Sequence, residues 1–270
     1  MSDAALTYST AGFRRDEYFV DGIRTVVYSA GQGPPVVYLH GGGSWHGFEW
    51  ARDWLDRFQM ILPYHPGYGE SADDPDLCSI DDLVVHYTRL FELLGLRRFH
   101  LVGASLGGWL AAQIALALPG HIERLVLIAP SGLTAAAHPY LDFTAVPPDE
   151  LPGHLVSDPA FIAPFWPVQP DARLAALLAR EAAATGRVMR GLPGADRALR
   201  RRLGQLAVPT LVLWGERDRV LPSGLAAEWT SALPEARAEI VAGGSHLLLD
   251  EFPAARVAAA RFLSGRAGAR

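Results

Sequence analysis

A chain of 270 residues, half of it hydrophobic and a fifth charged, has room for one large domain or two ordinary ones and enough apolar residues for a sizeable core. That balance argues against a disordered chain. A formal net charge of −5 with no basic run argues against nucleic acid as the main partner.

The single cysteine, Cys78, cannot form an internal disulfide, and cysteine pairs with metal-ligand spacing are absent, so neither a metal nor a cofactor is expected. Met1 to Phe13 is polar and lacks an apolar signal core, and no apolar run reaches about 18 residues. The expectation is a cytoplasmic protein without a membrane span, monomeric or homodimeric. The small, basic end from Gly265 to Arg270 is expected to fray.

Tyr18 to Val20, the Asp21-Gly22 turn and Ile23 to Ser29 read as a hairpin. Val36 to Leu39 is a short continuous apolar run before glycines, as in a buried parallel strand. Phe48 to Phe58 has helical spacing, with Trp50, Trp54, Leu55 and Phe58 on one face. Met60 to Leu62 is another buried strand. Ser79 to Leu94 reads as a helix that Ser79 caps, with Asp81 and Asp82 in its first turn and Gly95 as its stop. A strand at Phe99 to Val102, a helix at Leu106 to Leu118 and a strand at Leu125 to Ile128 follow.

From Leu133 to about Gln205 the alternation stops. The stretch is rich in proline, including Pro148 and Pro193, and carries one helical run, Ala172 to Ala184, and an arginine cluster from Arg197 to Arg202. The rhythm then resumes with a strand at Thr210 to Trp214, a helix at Leu225 to Leu233, a strand at Ala238 to Val241 and a helix at Pro253 to Leu263. Strands alternating with helices on both sides of an interruption predict an α/β fold, with a mostly parallel central sheet flanked by helices. Residues 1–132 and 206–270 would form that domain, and 133–205 a small, mainly helical cap over the carboxyl edge of the sheet, where ligands bind.

Gly103-Ala104-Ser105-Leu106-Gly107 lies between a strand and a helix, the layout of a nucleophile elbow. The small residues let a crowded turn close and lift the Ser105 hydroxyl above a helix N-terminus. A serine needs a base, and the base needs an orienting acid, each at a later strand end. Asp218 follows the strand that ends at Trp214, with Glu216 as rival acid. His246 follows the next strand in Gly243-Gly244-Ser245-His246. His86, His100, His121, His138 and His154 lack that placement and read as capping or solvated residues. An oxyanion hole needs two backbone donors. The Leu106 amide supplies one, and Gly42 of His40-Gly41-Gly42-Gly43 the other, with Gly43 the alternative. His40 reads as a brace for this loop.

With Pro66-Gly67-Tyr68-Gly69-Glu70-Ser71 and Glu251-Phe252-Pro253, these motifs give a chain that resembles the α/β-hydrolase superfamily over nearly its whole length outside the insertion. The resemblance implies a serine hydrolase of carboxylic esters acting through an acyl-enzyme, with a small-molecule ester as its partner. Meta-cleavage-product hydrolases, which cut carbon–carbon bonds, are an alternative. They usually carry Gly-Pro-Gly after the first His-Gly and often Asn before the serine, where this chain has Ser44-Trp45-His46 and Ala104. A non-catalytic small-molecule-binding member is a further alternative. Apolar insertion residues, among them Phe143, Phe161, Phe165 and Trp166, would line an acyl or aryl pocket with Gly43, Trp45 and His46.

Overall fold

A computed structural model describes residues 8–143, 145–147, 149–167, 169–190 and 197–265. The start of the chain, Pro148, Pro193 and the basic end from 266 onward lie outside the described residues. In chain order the elements are β1 (Arg14–Val20), β2 (Ile23–Ala30), β3 (Pro35–Leu39), β4 (Gln59–Pro63), α1 (Ile80–Leu93), β5 (Phe99–Ala104), α2 (Leu106–Ala117) and β6 (Ile122–Ile128). The connection to the next strand holds α3 (Leu151–Leu155), α4 (Pro159–Ile162), α5 (Ala172–Val188) and α6 (Arg197–Leu203). The chain then forms β7 (Thr210–Gly215), α7 (Leu225–Ala232), β8 (Ala236–Val241), α8 (Leu248–Glu251) and α9 (Pro253–Leu263).

The eight strands form one sheet in the order β1-β2-β4-β3-β5-β6-β7-β8. The β1–β2 and β2–β4 pairs are antiparallel, and the rest of the sheet is parallel. Its central strands are apolar without alternation because both faces are covered. Along β3, Val37 and Leu39 face one core, and Val36 and Tyr38 the other. In β7, Val212 and Trp214 face the first core, and Leu211 and Leu213 the second. The first core takes Tyr87 of α1, Trp109 of α2, Leu199 and Leu203 of α6, and Trp229 of α7. The second takes Trp50, Trp54 and α9. Each fully buried leucine or valine contributes roughly 1.5–3 kcal/mol.

Several expected boundaries shift, among them β6, which starts at Ile122 rather than Leu125, and α5, which runs on past Ala184 to Val188. Phe48 to Phe58 is no α-helix: a 3-10 helix runs from Glu49 to Trp54, and Phe58 closes the segment by donating its amide to the Trp54 carbonyl. Within that segment Trp50 meets Trp54 edge-on at 5.0 Å and Trp54 meets Phe58 edge-on at 6.2 Å. The edge strands β1 and β8 begin earlier than their apolar residues suggest, at Arg14 and Ala236. Charged side chains are at home on an edge strand, and Arg14–Asp16 and Arg237–Glu239 pair there. Helix α1 starts as expected: Ser79 Oγ accepts from the Asp82 amide and Asp82 accepts from the Ser79 amide.

The chain leaves β3 toward the Trp50 face and leaves β5 toward the α2 face. β3 and β5 are neighbours, so their loops part in opposite directions and open a crevice at their carboxyl ends.

Candidate active site

Ser105 has φ 53° and ψ −117°, a left-handed conformation that costs a non-glycine residue about 1–3 kcal/mol. The surroundings enforce it. The Ser105 amide donates to the Ile128 carbonyl (2.9 Å), and the Ser105 carbonyl accepts from Gly108 (3.0 Å), Trp109 (3.2 Å) and Ser131 (3.0 Å). A Cβ at Gly107 would overlap the Leu39 and His40 carbonyls, so only glycine lets α2 approach β3 this closely. The Leu106 amide, first in α2, is one of the donors a helix N-terminus leaves without an intrahelical acceptor. Among the described residues the Ser105 hydroxyl makes no hydrogen bond.

His246 and Asp218 meet across two loops. His246 Nδ1 lies 2.8 Å from Asp218 Oδ2, and the Asp218 side chain is fully buried. Its other oxygen accepts from the Val220 and Leu221 amides, both at 2.9 Å. With Oδ1 taken by two amides, Asp218 presents Oδ2 as an acceptor to His246, which makes Nδ1 the donor and turns Nε2 away from Asp218. Glu216, the rival, is exposed and instead accepts from the Gly243 amide at 2.8 Å.

His40 is tied into the loop that follows β3. The His65 amide donates to His40 Nε2 (3.1 Å), so His40 Nδ1 carries the proton and donates it to the Gly41 carbonyl (2.8 Å). A trans peptide carries its N–H opposite its C=O, so the Gly42 amide points away from the His40 ring. Gly41 itself lies against Ser105: a Cβ there would sit 3.2 Å from the Ser105 Cβ. His65 is held too, donating from Nε2 to the His40 carbonyl (2.9 Å) and accepting from the Tyr87 hydroxyl. Burial pushes the His65 ring down to about 4 and the His40 ring well below its ordinary value. His86 and His100 are buried as well, against the expectation of capping or solvated rings, and His86 hydrogen-bonds Thr25 at 3.0 Å.

Neutral buried histidines have a consequence for acid stability. The unfolded His65 ring takes up a proton as pH falls past about 6.5, but the folded ring does so only near 4. Its stabilisation is thus present above pH 6.5 and lost as pH falls toward 4, by about 3 kcal/mol at most. Urea melts at pH 7.5 and 4.5 should show a smaller loss of stability for His65→Gln than for wild type. An equal loss in both proteins would contradict this account.

The residues expected to line the pocket divide. Trp45 is buried against Val156 and Ile162, with Phe161, Phe165, Trp166 and Leu247 around them. Trp45 meets Trp166 edge-on at 5.0 Å, and Gly43 lies under the Trp45 indole. His46 turns away into a buried pair with Asp250 (3.1 Å). Burial alone would lower the His46 value, but Asp250 and Glu181 outweigh it and hold the ring above its ordinary value. Phe143 is 53% exposed and outside the aromatic cluster. Leu247, next to His246, is inside it, so this cluster lies beside the histidine.

Of the other polar residues that tie the site together, Glu251 lies in the Glu251-Phe252-Pro253 motif, whereas Glu181 and Thr185 carry no local motif. Glu251 accepts from the Ser157 and Asp158 amides and from the Ser245 hydroxyl, tying the β6–β7 connection to the histidine loop. Glu181 and Thr185 of α5 contact the loop after β3. Only the proximity of Asp250 and Glu251 to His246 in sequence hints at the first of these links.

A family model described as the alpha/beta hydrolase family matches residues 36–260. The chain belongs to that family. Among its relatives in the alpha/beta hydrolase family is a pimeloyl-[acyl-carrier protein] methyl ester esterase of Vibrio campbellii, 31% identical over 81% of this chain and 89% of that protein. A 2-hydroxy-6-oxo-6-phenylhexa-2,4-dienoate hydrolase of Comamonas testosteroni is 29% identical over 74% of this chain and 77% of that protein. The structure of naproxen esterase from Bacillus subtilis superposes with a TM-score of 0.74 at 21% identity, over 93% of this chain and 91% of that one. This hydrolase therefore has both esterase and meta-cleavage hydrolase homologues. Among the described residues no helix is long and apolar enough to cross a membrane.

Proposed function

We propose that this hydrolase cleaves small to medium apolar acyl or aryl carboxylic esters through a Ser105–His246–Asp218 triad. The observation that carries the reading is the His246–Asp218 hydrogen bond, and the positive φ of Ser105 where α2 begins supports it. His246 Nε2 takes the Ser105 proton as Oγ attacks the ester carbonyl, and Asp218 stabilises the imidazolium that forms. The Leu106 and Gly42 amides hold the oxyanion, helped by the N-terminal dipole of α2. The alcohol leaves with the proton from His246, which then activates water to hydrolyse the acyl-enzyme. Residues 133–205 serve as a cap, and Trp45, Phe161, Phe165 and Trp166 form the apolar wall that the acyl or aryl group displaces or lies against.

The Comamonas relative favours one second reading, hydrolysis of a carbon–carbon bond in a dienoic diketone. Ser44-Trp45-His46 after the glycines supports the ester instead, because the carbon–carbon hydrolases usually carry Gly-Pro-Gly there. Kinetics on a panel of p-nitrophenyl esters and on a vinylogous dienoic diketone separate the two. The esters should give the higher kcat/KM. A strong preference for the diketone replaces the ester reading with the carbon–carbon one, and turnover of neither points to a binding protein.

A further inference from the structure

Helix α5 meets the sheet domain through Val188, which joins the first core, and through several polar side chains. Arg180 donates to the carbonyls of Gly67 and Gly69, and Arg187 pairs with Asp73. Thr185 donates its hydroxyl to the Gly42 carbonyl (3.1 Å) and lies 2.6 Å from the Tyr68 hydroxyl. Glu181 is the deepest, 2% exposed. Its carboxylate accepts from the Ser44 amide (2.8 Å), the Ser44 hydroxyl (2.5 Å) and the Gly69 amide (2.9 Å). Burial pushes the carboxyl up, and the bonds from Ser44 and Gly69 draw it back toward ionisation.

Docking a helix does not require this. Apolar side chains of similar volume would hold α5 at least as well, since a buried carboxylate is costly unless every oxygen is filled. What a carboxylate with three convergent donors adds is position. Ser44 is two residues from Gly42, on a glycine run with no side chains to fix it. His40 sets the Gly41–Gly42 peptide from one side, and Thr185 holds the Gly42 carbonyl from the other. Glu181 anchors the far end at Ser44, by both amide and hydroxyl, while the Ser44 carbonyl accepts from the Gly47 amide.

We propose that Glu181 is a positioning residue for the oxyanion loop. From α5 it holds Ser44, and through Ser44 it holds the Gly42 amide where a developing oxyanion would be bound. The inference rests on the ester-hydrolase reading for its kinetic consequence, though not for the clamp itself.

Glu181→Gln offers one acceptor oxygen to three donors, so one backbone amide, of Ser44 or Gly69, must lose its partner. Against p-nitrophenyl acetate, kcat should fall at least about tenfold with KM within about threefold, as for loss of an interaction made in the transition state. Amide hydrogen exchange in residues 40–47 should speed up. Arg187→Ala, which breaks a docking contact on the same helix, should lower Tm and leave kcat within about threefold. If Glu181→Gln does not fold, Glu181→Asp withdraws the carboxylate by one methylene and should show the same kinetic signature. The proposal is overturned by unchanged kcat, by unchanged exchange at 40–47, or by an equal kcat loss in Arg187→Ala. Wild type that hydrolyses no ester refutes the ester reading instead; exchange at 40–47 then decides the clamp alone.

Discussion

Replacing Ser105 with alanine should lower kcat for a p-nitrophenyl ester about 10⁶-fold and abolish labelling by a fluorophosphonate probe. The size of the effect follows from the proposed mechanism: without Oγ no acyl-enzyme would form, and His246 would have no nucleophile to deprotonate. The fold should survive, because the contacts that shape the turn are made by the backbone of residue 105 and by Gly107. Ser105→Gly sharpens the test. Glycine adopts φ 53° without the penalty a side chain brings, so this variant should be equally inactive yet more stable than wild type. Wild type that fails to label, or that labels no better than Ser105→Ala, would remove Ser105 from the chemistry.

The parts of this site differ in how plainly the sequence announces them. The central strands are legible because both faces are buried, which writes them as unbroken apolar runs such as Val36 to Leu39. Their carboxyl ends then locate Ser105, Asp218 and His246 by chain order alone. Edge strands are less legible: the charges of Arg14 to Glu17 suit an edge and resemble a loop. The helices α3 and α4 escape notice because four or five residues with a proline in the first or second position carry no periodicity.

Contacts between distant residues are the least legible. Glu181 and Ser44 are 137 positions apart, and nothing local marks either as a partner of the other. The direction of a side chain is equally hidden. Trp45 and His46 are adjacent, yet one joins the aromatic cluster under the β6–β7 connection while the other turns to Asp250. Phe143 looks like Phe161 in its apolar setting yet ends 53% exposed, two residues past the Leu141 amide that donates to the Val220 carbonyl.

Asp218→Asn should lower kcat about 10⁴-fold, whereas Glu216→Gln should leave it within about threefold. The asymmetry is set by backbone amides. Val220 and Leu221 both donate to Asp218 Oδ1, so an asparagine is forced to place its carbonyl oxygen there. Its NH2 group then faces His246 Nδ1 in place of Oδ2. A donor facing Nδ1 demands the tautomer protonated on Nε2, the nitrogen that must accept the Ser105 proton. The ring is thus held in the wrong form, at a cost of about 5 kcal/mol in transition-state stabilisation. Geometry should be nearly unchanged, since Asn and Asp share a shape and both backbone bonds persist. Glu216 differs on each point: it is exposed, and its one recorded partner, the Gly243 amide, can donate equally well to a glutamine oxygen. Steady-state kinetics on both variants, with a Tm for each, decide the matter. A large loss in Glu216→Gln beside a small one in Asp218→Asn would transfer the role of orienting acid to Glu216.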